Sequence, residues 1–217
     1  MLTRDEIRKA LEEENYSALE DASGGGRSIF RPLISLSYDK ESVLCWRAIE
    51  AIGRVTGQLT KSNGEETRNL VQRLLWMMRD ESGNNVGSAP EILGEIVRNS
   101  PDQFSDIAPI IASFHDEEGL RRGVFRALMR ISEIRPDLCL TSSFLVREYI
   151  TCADGAVRAY AVLLAGSLGL KASVPLIEGL LKDACLVTIY GEGKLQQVTV
   201  SEIAEATLNE LRMGGDN

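Results

Sequence analysis

Asp154-Gly155-Ala156-Val157-Arg158-Ala159-Tyr160-Ala161-Val162-Leu163-Leu164-Ala165-Gly166-Ser167-Leu168-Gly169 reads as a helix built on a spaced skeleton. The skeleton is Arg158, then Ala161 three residues on, then Gly166 eight residues after the arginine. Shifted toward the N-terminus, it finds Cys45/Ala48/Gly53, Val86/Ala89/Gly94 and Arg121/Val124/Met129; shifted forward, it finds Ala204 and Asn209. The anchors Gly53, Gly94, Met129, Gly166 and Asn209 lie 41, 35, 37 and 43 residues apart. A helical pattern recurring at roughly 35–47 residues belongs to two-helix solenoid repeats, in which each repeat buries its apolar face against its neighbours. Small residues at the alanine and glycine positions let helices approach closely, so Ala161 and Gly166 are expected at tight contacts.

Working outward from the anchors, five helix pairs follow. They are Ile29–Ser37 with Ser42–Leu59, Glu66–Glu81 with Ala89–Arg98, and Gln103–Phe114 with Glu118–Ile134. Leu138–Thr151 with Gly155–Leu168 and Ser173–Lys182 with Val200–Leu211 complete the array. The six prolines fall in linkers or near helix starts, where a missing N–H is tolerated. Pro109 is the exception and predicts a kink or a later start of the third outer helix. Upstream, Thr3 to Glu14 reads as one helix, with Thr3 and Glu6 forming a capping box. Ser23-Gly24-Gly25-Gly26 then breaks the chain. The organisation expected is a capping helix within residues 1–22 and a repeat domain over 27–212. Within that domain, two β-prone runs flank Gly191-Glu192-Gly193-Lys194 and predict a hairpin at about 185–200.

Composition narrows the function classes. The 217 residues are 44% hydrophobic and 26% charged, ordinary values for a globular chain, with no apolar run long enough to span a bilayer. Met1 to Glu20 lacks the apolar core of a signal peptide, so a cytoplasmic location is expected, with no membrane partner. Cys45, Cys139, Cys152 and Cys185 show no CxxC spacing and read as reduced thiols. A net charge of −8 argues against nucleic acid, whose binding needs a concentrated positive face.

The segment from Asp154 to Gly169, followed by Ala172, Pro175-Leu176-Ile177 and Leu180-Leu181-Lys182-Asp183, resembles a HEAT repeat. It is most similar to the variant named after phycobilisome lyases, the PBS lyase HEAT-like repeat. The resemblance implies an all-α, right-handed α-α superhelix of about five helix pairs, with the hairpin as a small C-terminal β insertion. It also implies a protein-binding scaffold. An alternative within the resemblance is a bilin-lyase-like enzyme or accessory factor that holds a small molecule between the inner helices.

Catalytic constellations are missing from the sequence. His115 is the lone histidine, so the di-iron ligand set of the HEAT-type deoxyhypusine hydroxylases is out of reach, as are imidazole-rich zinc sites. His115 is expected to end a helix favourably. Neither Gly24-Gly25-Gly26 nor Gly191-Glu192-Gly193 continues into a phosphate-binding loop. The expectation is no catalytic residue, no metal and no cofactor.

The candidate binding residues come from two patterns. Numbered from the arginine position, offsets +2, +5 and +9 of each second helix share one face. They carry Arg47, Glu50 and Arg54, then Ser88, Glu91 and Glu95, then Gly123, Arg126 and Arg130, and lastly Tyr160, Leu163 and Ser167. This face is either a charged docking band on the concave side or a self-neutralising salt-bridge ladder. The second pattern is the least repeat-like stretch, Arg73 to Glu95, with Trp76, Asp80, Glu81, Ser88, Glu91 and Glu95. It reads as a turn followed by a Ser88/Glu91 capping box, as a carboxylate cluster, or as a partner contact. The expected partner is another protein or a peptide.

Overall fold

The computed structural model describes residues 2–22, 29–79 and 87–213. They form two compact units, one of Met1–Ile107 with Glu192–Lys194, the other of Ala108–Gly191 with Leu195–Asn217. Both consist of stacked helix pairs. The fold is all-α, with one small β-hairpin near the C-terminus.

In the first unit, α1 (Arg4–Glu12) begins with the expected capping box between Thr3 and Glu6 and buries Ile7, Ala10 and Leu11. α1 is the helix expected over Thr3–Glu14, and a second helix follows it within residues 1–22. Glu14 adopts a left-handed φ of 54°, and Asn15 caps a separate α2 (Tyr16–Asp21). The pairs α3 (Phe30–Leu36) with α4 (Val43–Ser62), and α5 (Gly64–Met78) with α6 (Ala89–Asn99), match the first two expected repeats. The short α7 (Pro101–Phe104) closes the unit.

α4 is the unit's spine, packed by α1, α2, α3, α5 and α6. Its fully buried Ile49, Ile52 and Val55, with Ile92, Leu93 and Ile96 of α6, form the inter-repeat core. Each such side chain contributes roughly 1.5–3 kcal/mol on leaving water. Asn63 ends α4 and caps α5, accepting the Glu66 amide at 3.2 Å, so the two helices turn with no intervening loop.

In the second unit, α8 (Ile107–Ala112) starts late, which places Pro109 in its first turn, where no intrahelical N–H is required. α9 (Glu118–Ser132) follows, then a 3₁₀ segment (Pro136–Ser142) and α10 (Phe144–Tyr149) in place of one continuous outer helix. α11 (Gly155–Ser167) is capped by Asp154, which accepts the Ala156 amide at 2.9 Å. It lies between α9 and α13 (Val200–Met213), which explains a helix apolar on most sides rather than along one stripe. The outer partner of α13 is the short α12 (Val174–Glu178).

β1 (Leu186–Gly191) and β2 (Lys194–Thr199) form the hairpin at the expected place. Its turn residues Glu192 and Gly193 have φ of 49° and 75°, the double left-handed turn that matches strand twist. A second capping box, between Thr199 and Glu202, starts α13 directly after β2.

Candidate functional site

The second helices do not present the expected charged band as an open face. Glu95 is 1% exposed because α6 lies directly on α4, where a Cβ built on Gly53 would sit 2.7 Å from both Glu95 Cβ and Glu95 O. Glu91 is 3% exposed and forms an ion pair with Lys40, and its Oε2 is buried without a hydrogen-bond partner among the described residues. The Lys40 ammonium stands 4.9 Å from the centre of the Trp46 ring, and the Trp46 indole donates to Lys40 O at 2.9 Å. Ser88 occupies the N-cap position of α6, but its hydroxyl donates to Ser37 O, so the Ser88/Glu91 capping box does not form. Each of these groups anchors one helix pair of the first unit to the next.

Arg47 is likewise structural. Its guanidinium donates to Leu11 O at 3.1 Å and Glu12 O at 2.8 Å, capping the last carbonyls of α1. It also donates to Gly193 O at 3.0 Å and to Glu14 Oε1 at 2.6 Å. Glu50 and Arg54 pair at 2.8 Å, and the Arg54 guanidinium covers the Tyr16 ring at 4.3 Å. In the second unit, Arg126 is 2% exposed with its guanidinium 5.7 Å from the Tyr190 ring centre, and Arg130 reaches Glu133 at 2.5 Å. The ion pairs of Arg47, Glu91 and Arg130 reach residues outside this face, Glu50–Arg54 pairs within it, and Arg54 is exposed. Asp80 and Glu81 lie outside the described residues.

Of the sequence-derived candidates among the described residues, Trp76 is held in the open, 66% exposed, and Arg54 is also exposed. α5 turns Leu70, Val71, Leu74 and Met78 into the core, which puts Arg73, Trp76 and Met77 toward its other side. A groove of about 850 Å³ runs there between α3 and α5, lined by Phe30, Arg31, Ile34, Ser35 and Tyr38 from one wall and Glu66, Asn69, Leu70, Gln72, Arg73, Trp76 and Met77 from the other. Tyr38 at its rim is 51% exposed. Two exposed aromatics beside one apolar groove resemble the anchors of protein–protein contacts more than a solvated helix surface. The α3 half of this groove was missed in the sequence. The available signal was a tryptophan on the polar side of an amphipathic helix.

The groove's charged groups are unevenly engaged. Glu66 is held at the start of α5 by Asn63, whose Nδ2 donates to its Oε2 at 3.2 Å. Arg31 and Arg73 make no hydrogen bond or ion pair among the described residues, whereas Arg47, Arg54 and Arg68 of the same unit are all ion-paired. A smaller groove of about 580 Å³ in the second unit carries the exposed Phe144 with Arg147.

Acid–base chemistry has little to work with. His115 follows α8 and meets the Tyr149 hydroxyl at 3.0 Å, with the Phe144 ring at 6.1 Å, an aromatic corner rather than a helix-end charge contact. Burial, reinforced by Glu148, pushes the Tyr149 hydroxyl above its ordinary range. Burial also raises the Cys139 thiol to about 12, leaving it inert. Among the described residues no cluster of three or more His, Cys, Asp or Glu side chains could hold a metal ion, and no helix is long and apolar enough to cross a membrane.

No family model matches the chain. Two engineered proteins solved by the Northeast Structural Genomics Consortium share the fold. One is 15% identical with a TM-score of 0.55, over 99% of this chain and 98% of that one. The other is 15% identical with a TM-score of 0.53, over 93% of this chain and 54% of that one. A HEAT-like repeats protein from the archaeon Thermococcus onnurineus NA1 aligns at 13% identity and a TM-score of 0.42, over 97% of this chain and 81% of that one. An uncharacterized protein of Archaeoglobus fulgidus is 30% identical over 173 residues, which span 79% of this chain and 91% of its own length. The chain belongs to the same family as that Archaeoglobus fulgidus protein.

Proposed function

We propose that the protein is a non-enzymatic, cytoplasmic binding module that holds a protein or peptide segment in the α3–α5 groove, with Trp76 as its anchor. The observation that carries this reading is the pairing of Trp76, 66% exposed, with Tyr38, 51% exposed, on the rim of an apolar groove of about 850 Å³. Exposing an indole to water forgoes the transfer free energy that burial would recover, and a partner's apolar side chain recovers it. The bilin-lyase alternative draws no support from the geometry. It needs space between second helices, yet α4 meets α6 at Gly53, and α11 meets α13 at Gly166, both at distances that exclude a Cβ. The polar pocket beside α4 and α6, about 250 Å³ with Glu50, Arg54 and Arg98 in its lining, falls below the roughly 300–1,000 Å³ of small-molecule sites.

Selection from a displayed random-peptide library tests the proposal. Enriched peptides are expected to share a large apolar residue and to shift the fluorescence of Trp76, while Trp46 stays in the core. Trp76→Ser should abolish their binding and leave the melting temperature unchanged. Selected peptides that bind Trp76→Ser as tightly as the parent would move the site away from this groove.

A further inference from the structure

Resting on that reading, we infer that the α3–α5 groove takes an acidic amphipathic helix of about three turns. Length comes from the α5 wall. The lining residues Glu66, Leu70, Arg73 and Met77 follow each other at three- and four-residue steps, and at 1.5 Å per residue they mark a trough of about 16 Å. α3 supplies Phe30 and Ile34 at the same helical spacing, so Phe30, Ile34, Leu70 and Met77 give the groove apolar side chains from both helices. Apolar side chains along two neighbouring helices accept the apolar edge of a third helix, whose own backbone hydrogen bonds are already made. An extended segment would lay its amides on a floor that offers mostly carbon.

Charge fixes the chemistry of the other side of the helix. The chain carries −8 overall, yet the groove is flanked by Arg31 and Arg73, and neither has a partner among the described residues. Glu66, the carboxylate in the lining, is held by Asn63 at the α5 N-cap and keeps its charge, so two arginines against one glutamate leave the lining with a positive excess. Guanidinium groups are weakly hydrated and bind carboxylates in a fork, so two of them beside an apolar floor favour glutamate or aspartate flanking the partner's hydrophobic stripe. Beyond roughly 8 Å physiological salt screens the acidic remainder of the surface, which leaves the local arginines to set preference.

Four side-chain-stapled 14-residue model peptides decide the matter, read by Trp76 fluorescence on the full chain with Trp76→Phe as the blank. Three are helices with one leucine stripe and a Glu, Gln or Lys flank. The fourth has the Glu composition with two central prolines and no staple. The Glu helix is expected to bind at least tenfold tighter than the Gln helix, to weaken as salt rises, and to exceed the proline form at least tenfold. The Lys helix should bind weakest, and Arg31→Glu with Arg73→Glu should invert the order of the Glu and Lys helices. Equal affinity for all three flanks, or tight binding of the proline form, overturns this inference and leaves the groove as a docking site. Silence of Trp76 with all four peptides, together with library peptides indifferent to Trp76→Ser, overturns the groove reading as well.

Discussion

Gly53 of α4 lies against Glu95 of α6 so closely that a methyl group on residue 53 would stand 2.7 Å from the Glu95 carbonyl oxygen. Offset +8 of one repeat thus meets offset +9 of the next. The relation recurs in the second unit, where a Cβ on Gly166 would lie 2.9 Å from Thr207 Cγ2 and 3.5 Å from Glu210 Oε2, Glu210 being at the same offset as Glu95. The periodic glycine is therefore the contact point between successive second helices. In the first unit the acid beside it, Glu95, is a buried packing neighbour, whereas Glu210 in the second unit is exposed.

Gly53→Leu should destabilise the chain by about 1–3 kcal/mol, the usual cost of overpacking. The obstacle is backbone as well as side chain, so the helices must separate to make room. Gly166→Ala should cost less, because the nearest atom there is a threonine methyl rather than a carbonyl. Urea unfolding of both variants checks the order, and a neutral Gly53→Leu would break the assigned repeat register.

The pair Glu91→Lys and Glu95→Lys should cost more than ~3 kcal/mol. It removes the partner of Lys40 and places two cations where the native carboxylates are almost wholly buried. On the docking-band alternative of the sequence this change leaves stability nearly intact, and on the ladder alternative it costs the fold. Their burial favours the loss of stability. Thermal melts decide, and an unshifted transition would mean that both positions are open to water.

Asp154 caps α11 and receives Arg122 Nε at 2.5 Å. Burial alone would raise its carboxyl, but Arg122 and the Ala156 and Val157 amides outweigh it and hold the group below its ordinary 3.8. A depressed folded value means that the contribution is present above pH ~4 and is lost as pH falls through the folded value. Asp154→Ala should cost ~1 kcal/mol at pH 7, a typical N-cap loss. The gap from the parent should narrow by pH 3, as measured by urea unfolding at the two pH values. A gap independent of pH would assign the whole effect to helix capping.

Thiol reactivity should be graded by position. Cys185 is exposed, whereas Cys45 and Cys139 are buried. A disulfide reagent such as Ellman's should modify Cys185 in the folded chain and reach Cys45 and Cys139 on unfolding. Rapid folded-state labelling of Cys139 would contradict the burial that raises its thiol to about 12.

Local chemistry made much of this structure readable in advance. The Thr3/Glu6 capping box and the turn at Glu192-Gly193 each depend on residues within a few positions of one another. The helix pairs follow from apolar periodicity, because a solenoid's contacts are mostly between neighbouring repeats. Even the late start at Pro109 is a statement about one missing N–H.

The site was legible in part. Trp76 stands out as an aromatic on the polar side of α5, but its groove needs Phe30, Ile34 and Tyr38, roughly forty residues earlier in the chain. The row of Arg47, Glu91, Glu95 and Arg126 has the periodicity of an exposed face in sequence. Helix periodicity specifies which residues share a face, but not how closely another helix approaches that face. The approach of α6 to α4 at Gly53 buries Glu95, the ion pair with Lys40 accompanies the burial of Glu91, and the carbonyls ending α1 engage Arg47. Sequence by itself determined the repeat and its register, set by local hydrogen bonding and periodicity. Tertiary structure alone decided which charges became internal struts and which aromatic stayed in water, because desolvation depends on neighbours that lie far away along the chain.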